Sequence, residues 1–271
     1  MRQEDISVLG VVTRVILGCC LIALGVSNIV LLNDQQNRDG THLPRESFVL
    51  LRVSTTISLK ECLGPKKKCK ALVELPSPRD AKITHQGSGL IISNSVEASY
   101  ILTAAHVCKN KMPDQIAIDD MSYSISTKRS VEIFDFHGNH HDASVLHADD
   151  IHDVCILRSD GVWGTPVRVA KEMPAQGEQV FNLAAPYGVY APNMVLTFQG
   201  YYSGTDFFNN EIFTIPTRPG SSGSPIFNSK GELISVIHSS HRNFENIAIG
   251  CQLQNLKEII DSYVSRKHVV R

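Results

Sequence analysis

From Phe48 onward the apolar residues come in short runs, and this constrains the fold more than any other feature of the chain. The runs are FVLLRV (Phe48 to Val53), GLIIS (Gly89 to Ser93), SVEIFDF (Ser130 to Phe136), DVCIL (Asp153 to Leu157), QVFNLAA (Gln179 to Ala185) and ELISVIH (Glu232 to His238). They are rich in Val, Ile, Leu and Phe, and Gly, Pro, Asn, Asp or Ser interrupt them roughly every 8 to 12 residues, the pattern of an all-β sandwich or barrel. A helical period comes only at the end, where Leu253, Leu256, Ile259, Ile260, Tyr263 and Val264 predict one C-terminal helix with a single apolar face. No internal repeat divides the chain. With 42% hydrophobic and 20% charged residues there is material for a sizeable core.

Ahead of this body, Val15 to Leu32 is an uncharged run of 18 residues, long enough at ~1.5 Å per residue to reach ~27 Å and cross a bilayer as a helix. The expected organisation is an N-terminal tail (residues 1–14), a transmembrane anchor (15–32), a polar linker (33–47), a catalytic domain (48–265) and a short tail (266–271). The domain would then be held at the lipid bilayer by a single pass and lie outside the cytoplasm. The competing reading of residues 15–32 is a signal sequence, cleaved near Ala23-Leu24-Gly25 to give a secreted product.

Against 26 Lys+Arg stand 27 Asp+Glu, a net charge of −1, which excludes a general nucleic-acid-binding surface. The seven cysteines are too few for a disulfide scaffold and show no CxxC spacing, so neither a structural metal nor a cofactor is expected. Cys62 and Cys69 flank Leu-Gly-Pro-Lys-Lys-Lys, whose Gly-Pro can turn the chain back, and outside the cytoplasm they are expected to pair. Cys108 and Cys155 read as buried free thiols and Cys251 as a core residue. His137, His140, His141, His147 and His152 crowd one stretch, but their irregular spacing reads as a solvated loop and not as a metal site.

Three segments carry chemistry: YILTAAHVC (Tyr100 to Cys108), DDIHDVCIL (Asp149 to Leu157) and RPGSSGSPIF (Arg218 to Phe227). A serine hydroxyl is a weak nucleophile near neutral pH. It needs an imidazole to take its proton, a carboxylate to fix the imidazole tautomer, and donors aimed at the developing oxyanion. The order His, Asp, Ser separates this chain from the subtilisin and α/β-hydrolase orders. Asp149 and Asp150 compete with Asp153, yet only Asp153 directly precedes an apolar run. Ser221 and Ser224 compete with Ser222, which alone follows a Gly-x pair and precedes a glycine.

On these motifs, with GSGLIIS, GEQVFNLAAPYGV and NIAIGCQLQNLKEII in the same order, residues 48 to 265 resemble the chymotrypsin-fold serine peptidases. The bacterial and viral branches, HtrA-type proteases and glutamyl endopeptidases, are the most similar. The resemblance implies two six-stranded antiparallel β-barrels and a serine endopeptidase acting on proteins or peptides, which the run at 15–32 would tether to the membrane. His106 would be the base, Asp153 its orienter and Ser222 the nucleophile, with the N–H groups of Gly220 and Ser222 as the oxyanion hole. It also implies a substrate pocket walled by Pro216 and Thr217, by His238, Ser239 and Ser240, and by Ala248 and Gly250, none of them acidic. In glutamyl endopeptidases a Thr and a His bind a substrate carboxylate, so Thr217 and His238 imply cleavage after Glu. One residue more separates Ser222 from His238 than the motif asks for; placed within the strand, it would turn His238 to the other face. Viral polyprotein processing and a catalytically silent binding module are the rival readings.

Overall fold

A computed structural model describes residues 43–63, 71–73, 81–109, 113, 115–118, 121–241 and 243–264. The chain divides into two units, Met1–Leu43 and Pro44–Arg271, and the second contains every element named below. The anchor or signal at 15–32, the tail at 266–271 and the expected Cys62–Cys69 bridge lie outside the described residues. Among the described residues no helix is long and apolar enough to cross a membrane.

Two closed six-stranded antiparallel barrels make up the domain. The first runs β1 (Phe48–Leu63), β3 (Ala81–Asn94), β4 (Ala98–Ala104), β8 (Val154–Asp160), β7 (His140–Asp149) and β6 (Met121–Asp135), with β6 returning to pair with β1. Short strands β2 (Ala71–Val73) and β5 (Gln115–Ile118) extend it at β1 and β6. The second barrel runs β9 (Gln179–Ala184), β11 (Met194–Thr205), β12 (Glu211–Phe213), β15 (Phe244–Gly250), β14 (Leu233–His241) and β13 (Pro225–Phe227), which closes on β9; β10 (Tyr190–Ala191) pairs with β11.

Alternate side chains of β1 face the first core, while Phe48 and Leu50 between them are buried as well. Val49, Leu51 and Val53 of β1 meet Ile91, Ile101, Val131, Ile133 and Leu157 inside the first barrel. Val180, Phe213, Ile226, Ile234, Ile237 and Ala248 fill the second. Of the two α-helices among the described residues, α1 (Ala105–Cys108) is a single turn leaving β4, and α2 (Leu253–Tyr263) buries Leu253, Leu256, Ile259 and Ile260, the face read from the sequence.

Two expectations need correction. Cys108 and Cys155 are bonded to each other, with Cα atoms 6.5 Å apart. Thr103 of β4 lies opposite Cys155 of β8 in the sheet register, and the α1 turn that follows folds Cys108 back over its neighbouring strand. The histidines between 137 and 152 do not form a solvated loop, because each has a partner and three of them lie on β7. His141 stacks on Trp163 with ring centroids 3.9 Å apart and reaches Asp135 at 3.2 Å. His147 stacks on Tyr263, His137 bonds Asn193, and His152 bonds Asp149. Cys251 is a free, buried thiol, its pKa pushed up to about 12 by burial.

Candidate active site

His106 is the second residue of α1, and the chain reaches it directly from the buried end of β4. Asp153 occupies the residue before β8 in a left-handed conformation, φ 52°. Its carbonyl accepts the Ala105 N–H at 3.1 Å, and its carboxylate faces back along α1. One carboxylate oxygen accepts the His106 backbone N–H at 2.8 Å and the other lies 2.6 Å from His106 Nδ1. An ionised carboxylate can only accept, so Nδ1 carries the proton and Nε2 is left as the free base. Burial acts to raise the Asp153 pKa. The His106 hydrogen bonds and the positive charge available on His106 and His238 outweigh it, so the carboxyl lies below its ordinary range. The competing acids are engaged elsewhere. Asp149 caps the turn by accepting from Ile151, His152 and the His152 ring, and Asp150 faces Lys109 at 3.7 Å.

Three serines stand on the loop opposite, and only one offers its hydroxyl. Ser221 is 2% exposed and accepts the Arg218 N–H; Ser224 is wholly buried and accepts from Asn182. Ser222 is partly exposed and borders a cavity, and its hydroxyl makes no hydrogen bond among the described residues. Such bonds between nucleophile and base commonly tighten only when substrate binds. Gly220 (φ 98°) and Gly223 (φ 83°) turn the loop on either side. The Ser221 N–H is committed to Arg218 and the Gly223 N–H to Ile237, whereas those of Gly220 and Ser222 have no backbone acceptor among the described residues. The Pro219 carbonyl, which could otherwise turn into this space, accepts the Tyr187 N–H at 2.7 Å.

The expected pocket is assembled only in part. Thr217, Ser239 and Ser240 border a cavity of about 430 Å³ beside Ser222, together with Arg218, His241 and Glu245. Pro216, Ala248 and Gly250 do not border it; Ala248 is wholly buried in the second core, and Gly250 packs beneath Ser235. His238 also faces elsewhere. Strand β14 carries register shifts against β13 at Leu233 to Ser235 and against β15 at Ile237 to Ser239. Ile237 consequently borders the cavity beside Ser222, while His238 lines a second cavity of about 540 Å³ with His152 and Asp153. Burial holds the His238 pKa below its ordinary value, against the pull of Asp153. The Thr217 hydroxyl donates to the Glu245 carbonyl at 3.3 Å. The walls are not free of acid, since the Glu245 carboxylate lines the pocket in a salt bridge with Arg218. Sequence reasoning missed this ion pair, and it missed Ser88, although the Gly87-Ser88-Gly89 run marked a close backbone approach.

A family model described as a trypsin-like peptidase domain matches residues 87–236. Two curated proteins named probable periplasmic serine endoprotease DegP-like are similar. The one from Ectopseudomonas mendocina is 27% identical over 165 residues, 59% of this chain and 31% of its own. The one from Pseudomonas putida is 27% identical over 154 residues, 55% of this chain and 28% of its own. The matched region is thus under a third of these relatives' length. Among solved structures, the serine endoprotease from Yersinia pestis superposes with a TM-score of 0.55 at 18% identity, covering 83% of this chain and 65% of that one, a likeness of fold.

Proposed function

The chain belongs to the family of trypsin-like peptidase domains, and from that premise we propose that it is a serine endopeptidase of the HtrA type working through Ser222, His106 and Asp153. One observation carries the reading. The Asp153 carboxylate grips His106 at two points, 2.8 Å and 2.6 Å, in a domain where one serine of the glycine-turned loop keeps a free hydroxyl beside two unengaged N–H groups.

In the reaction, His106 Nε2 takes the Ser222 proton as Oγ attacks the scissile carbonyl carbon. The carbonyl π electrons move to oxygen, which the Gly220 and Ser222 N–H groups receive. Collapse of this intermediate breaks the C–N bond, the imidazolium gives its proton to the leaving amine, and an acyl-serine remains. Water, deprotonated by the same imidazole, then releases the acid and restores Ser222. Asp153 stays ionised throughout and stabilises the imidazolium. No cofactor enters this scheme.

Carboxylate recognition by Thr217 with His238 loses its support, because the two line different cavities. A pocket of serine hydroxyls over Ile237, with its one acid neutralised by Arg218, supports cleavage after small uncharged side chains. The Cys108–Cys155 bond supports an oxidising, extracytoplasmic setting, as do relatives named periplasmic. Residues 15–32 supply the tether in this account, and the full-length chain should stay with membranes through alkaline washing. A cleavage map on a diverse peptide mixture, with Ser222→Ala as control, tests the function. Cuts after Ala, Val, Ser or Thr are expected; cuts confined to Glu would restore the carboxylate pocket, and cuts persisting in Ser222→Ala would overturn the whole reading.

A further inference from the structure

Ser88, on β3 of the first barrel, has no solvent exposure and makes four hydrogen bonds. Its hydroxyl donates to the Gly220 carbonyl at 2.8 Å and accepts the Ala185 N–H at 3.0 Å. Its N–H donates to the Ser222 carbonyl at 2.8 Å, and its own carbonyl accepts the Thr103 hydroxyl at 2.8 Å. Gly220 and Ser222 are the two residues whose N–H groups face the developing oxyanion. Ser88 therefore holds by the carbonyl both residues that must present an amide. Through Ala185 it also fixes the turn whose Tyr187 N–H keeps the Pro219 carbonyl out of the hole. Through Thr103 it is tied to the strand that leads into α1 and His106.

We propose that Ser88 is a positioning residue that sets the oxyanion hole, fastening the nucleophile loop of the second barrel to the frame of the first. The packing leaves little alternative conformation. A Cβ on Gly223 would come within 2.2 Å of the Ser88 carbonyl oxygen, and one on Gly220 within 2.6 Å of the Ala185 carbonyl oxygen. Without the hydroxyl, the Gly220 carbonyl and the Ala185 N–H both lose their partner in a buried interface: the Gly220–Ser221 peptide is freed to rotate, and the turn that holds the Pro219 carbonyl, and with it the Gly220 N–H, loses a tie. Ser88 touches no reacting atom, so its effect must reach the chemistry through amide orientation.

This inference rests on the triad reading above, and the test separates the two. Full-length wild type and Ser88→Ala are mixed with p-nitrophenyl acetate, a small activated ester that needs no subsite. The burst amplitude counts competent active sites, and the burst rate gives acylation per site. Losing one oxyanion donor outright costs about 100- to 1,000-fold; a donor displaced but present should cost about 10- to 100-fold in acylation, with the ester's half-saturation concentration unchanged. Inhibition by phenylboronic acid, whose boronate oxygen occupies the same hole, should weaken in step. Acylation at the wild-type rate per titrated site would overturn the inference and leave the triad standing. No burst from wild type would overturn both. Should Ser88→Ala fail to accumulate folded, Ser88→Cys, near in size but a weak donor, must show the same loss per site, and a wild-type rate there overturns the inference equally.

Discussion

The Cys108–Cys155 bond closes a loop with a sequence separation of 47 residues, and removing it should be costly. On the chain-entropy model, opening a loop of that length frees the unfolded ensemble by about 14 cal/mol/K, or about 4 kcal/mol at 25 °C. For a domain of this size that corresponds to a fall in Tm of roughly 8 to 16 °C. The suitable variant is Cys108→Ala with Cys155→Ala. Both positions are buried, at 1% and 0% exposure, so serine would leave two hydroxyls without water, while alanine removes sulfur packing and adds modestly to the loss. The Asp153 to His106 contacts do not run through the sulfurs, so turnover at temperatures well below the lowered Tm should change less than tenfold. Thermal and urea unfolding of the full-length chain followed by circular dichroism measure the stability, and alkylation with and without reductant counts the thiols. A loss under about 1 kcal/mol, or ready alkylation of both cysteines without reductant, would refute the reasoning.

Two other perturbations test the site's backbone and its charge. Gly220→Ala places a side chain at φ 98° and 2.6 Å from the Ala185 carbonyl oxygen; a strain of about 1 to 3 kcal/mol should displace the loop and cut turnover at least tenfold, with unfolding and ester-burst measurements separating the two effects. Asp153 has a folded pKa below its unfolded value of about 3.9, so its ionised form stabilises the native state above that pH. That contribution is lost as pH falls through the lower folded value. The stability gap between wild type and Asp153→Asn should accordingly be level above about pH 5 and shrink below about pH 4, and a gap that widened on acidification would contradict the assigned sign.

Strand positions were legible because strands buried on both faces read as short apolar runs between turn residues, as Phe48, Val49, Leu50, Leu51 and Val53 show, and α2 was legible because four of its apolar residues share one buried face. His106, Asp153 and Ser222 stand in local motifs, where the residue before or after carries the signal. What escaped depended on register and on contacts between distant segments. The shifts in β14 invert an odd-even count at His238 with no marker residue. Cys108 meets Cys155 only because β4 and β8 are neighbours in a particular alignment. Ser88 meets Gly220 across 132 residues and Ala185 across 97, a juxtaposition that exists only once both barrels are formed. Glu245 escaped for the same reason, since it reaches Arg218 from another strand.

The most direct measurement of the central claim is the identity of the nucleophile. Full-length protein is treated with a fluorophosphonate, and the modified peptide is sequenced by mass spectrometry beside a casein-cleavage assay. The adduct should fall on Ser222 alone and form far more slowly in His106→Ala. Casein turnover should drop by several orders of magnitude in Ser222→Ala and little further in the Ser222→Ala, His106→Ala double variant, because the two groups act as one unit. An adduct on Ser221, Ser224 or any other residue, or casein cleavage at the wild-type rate by Ser222→Ala, would contradict the account.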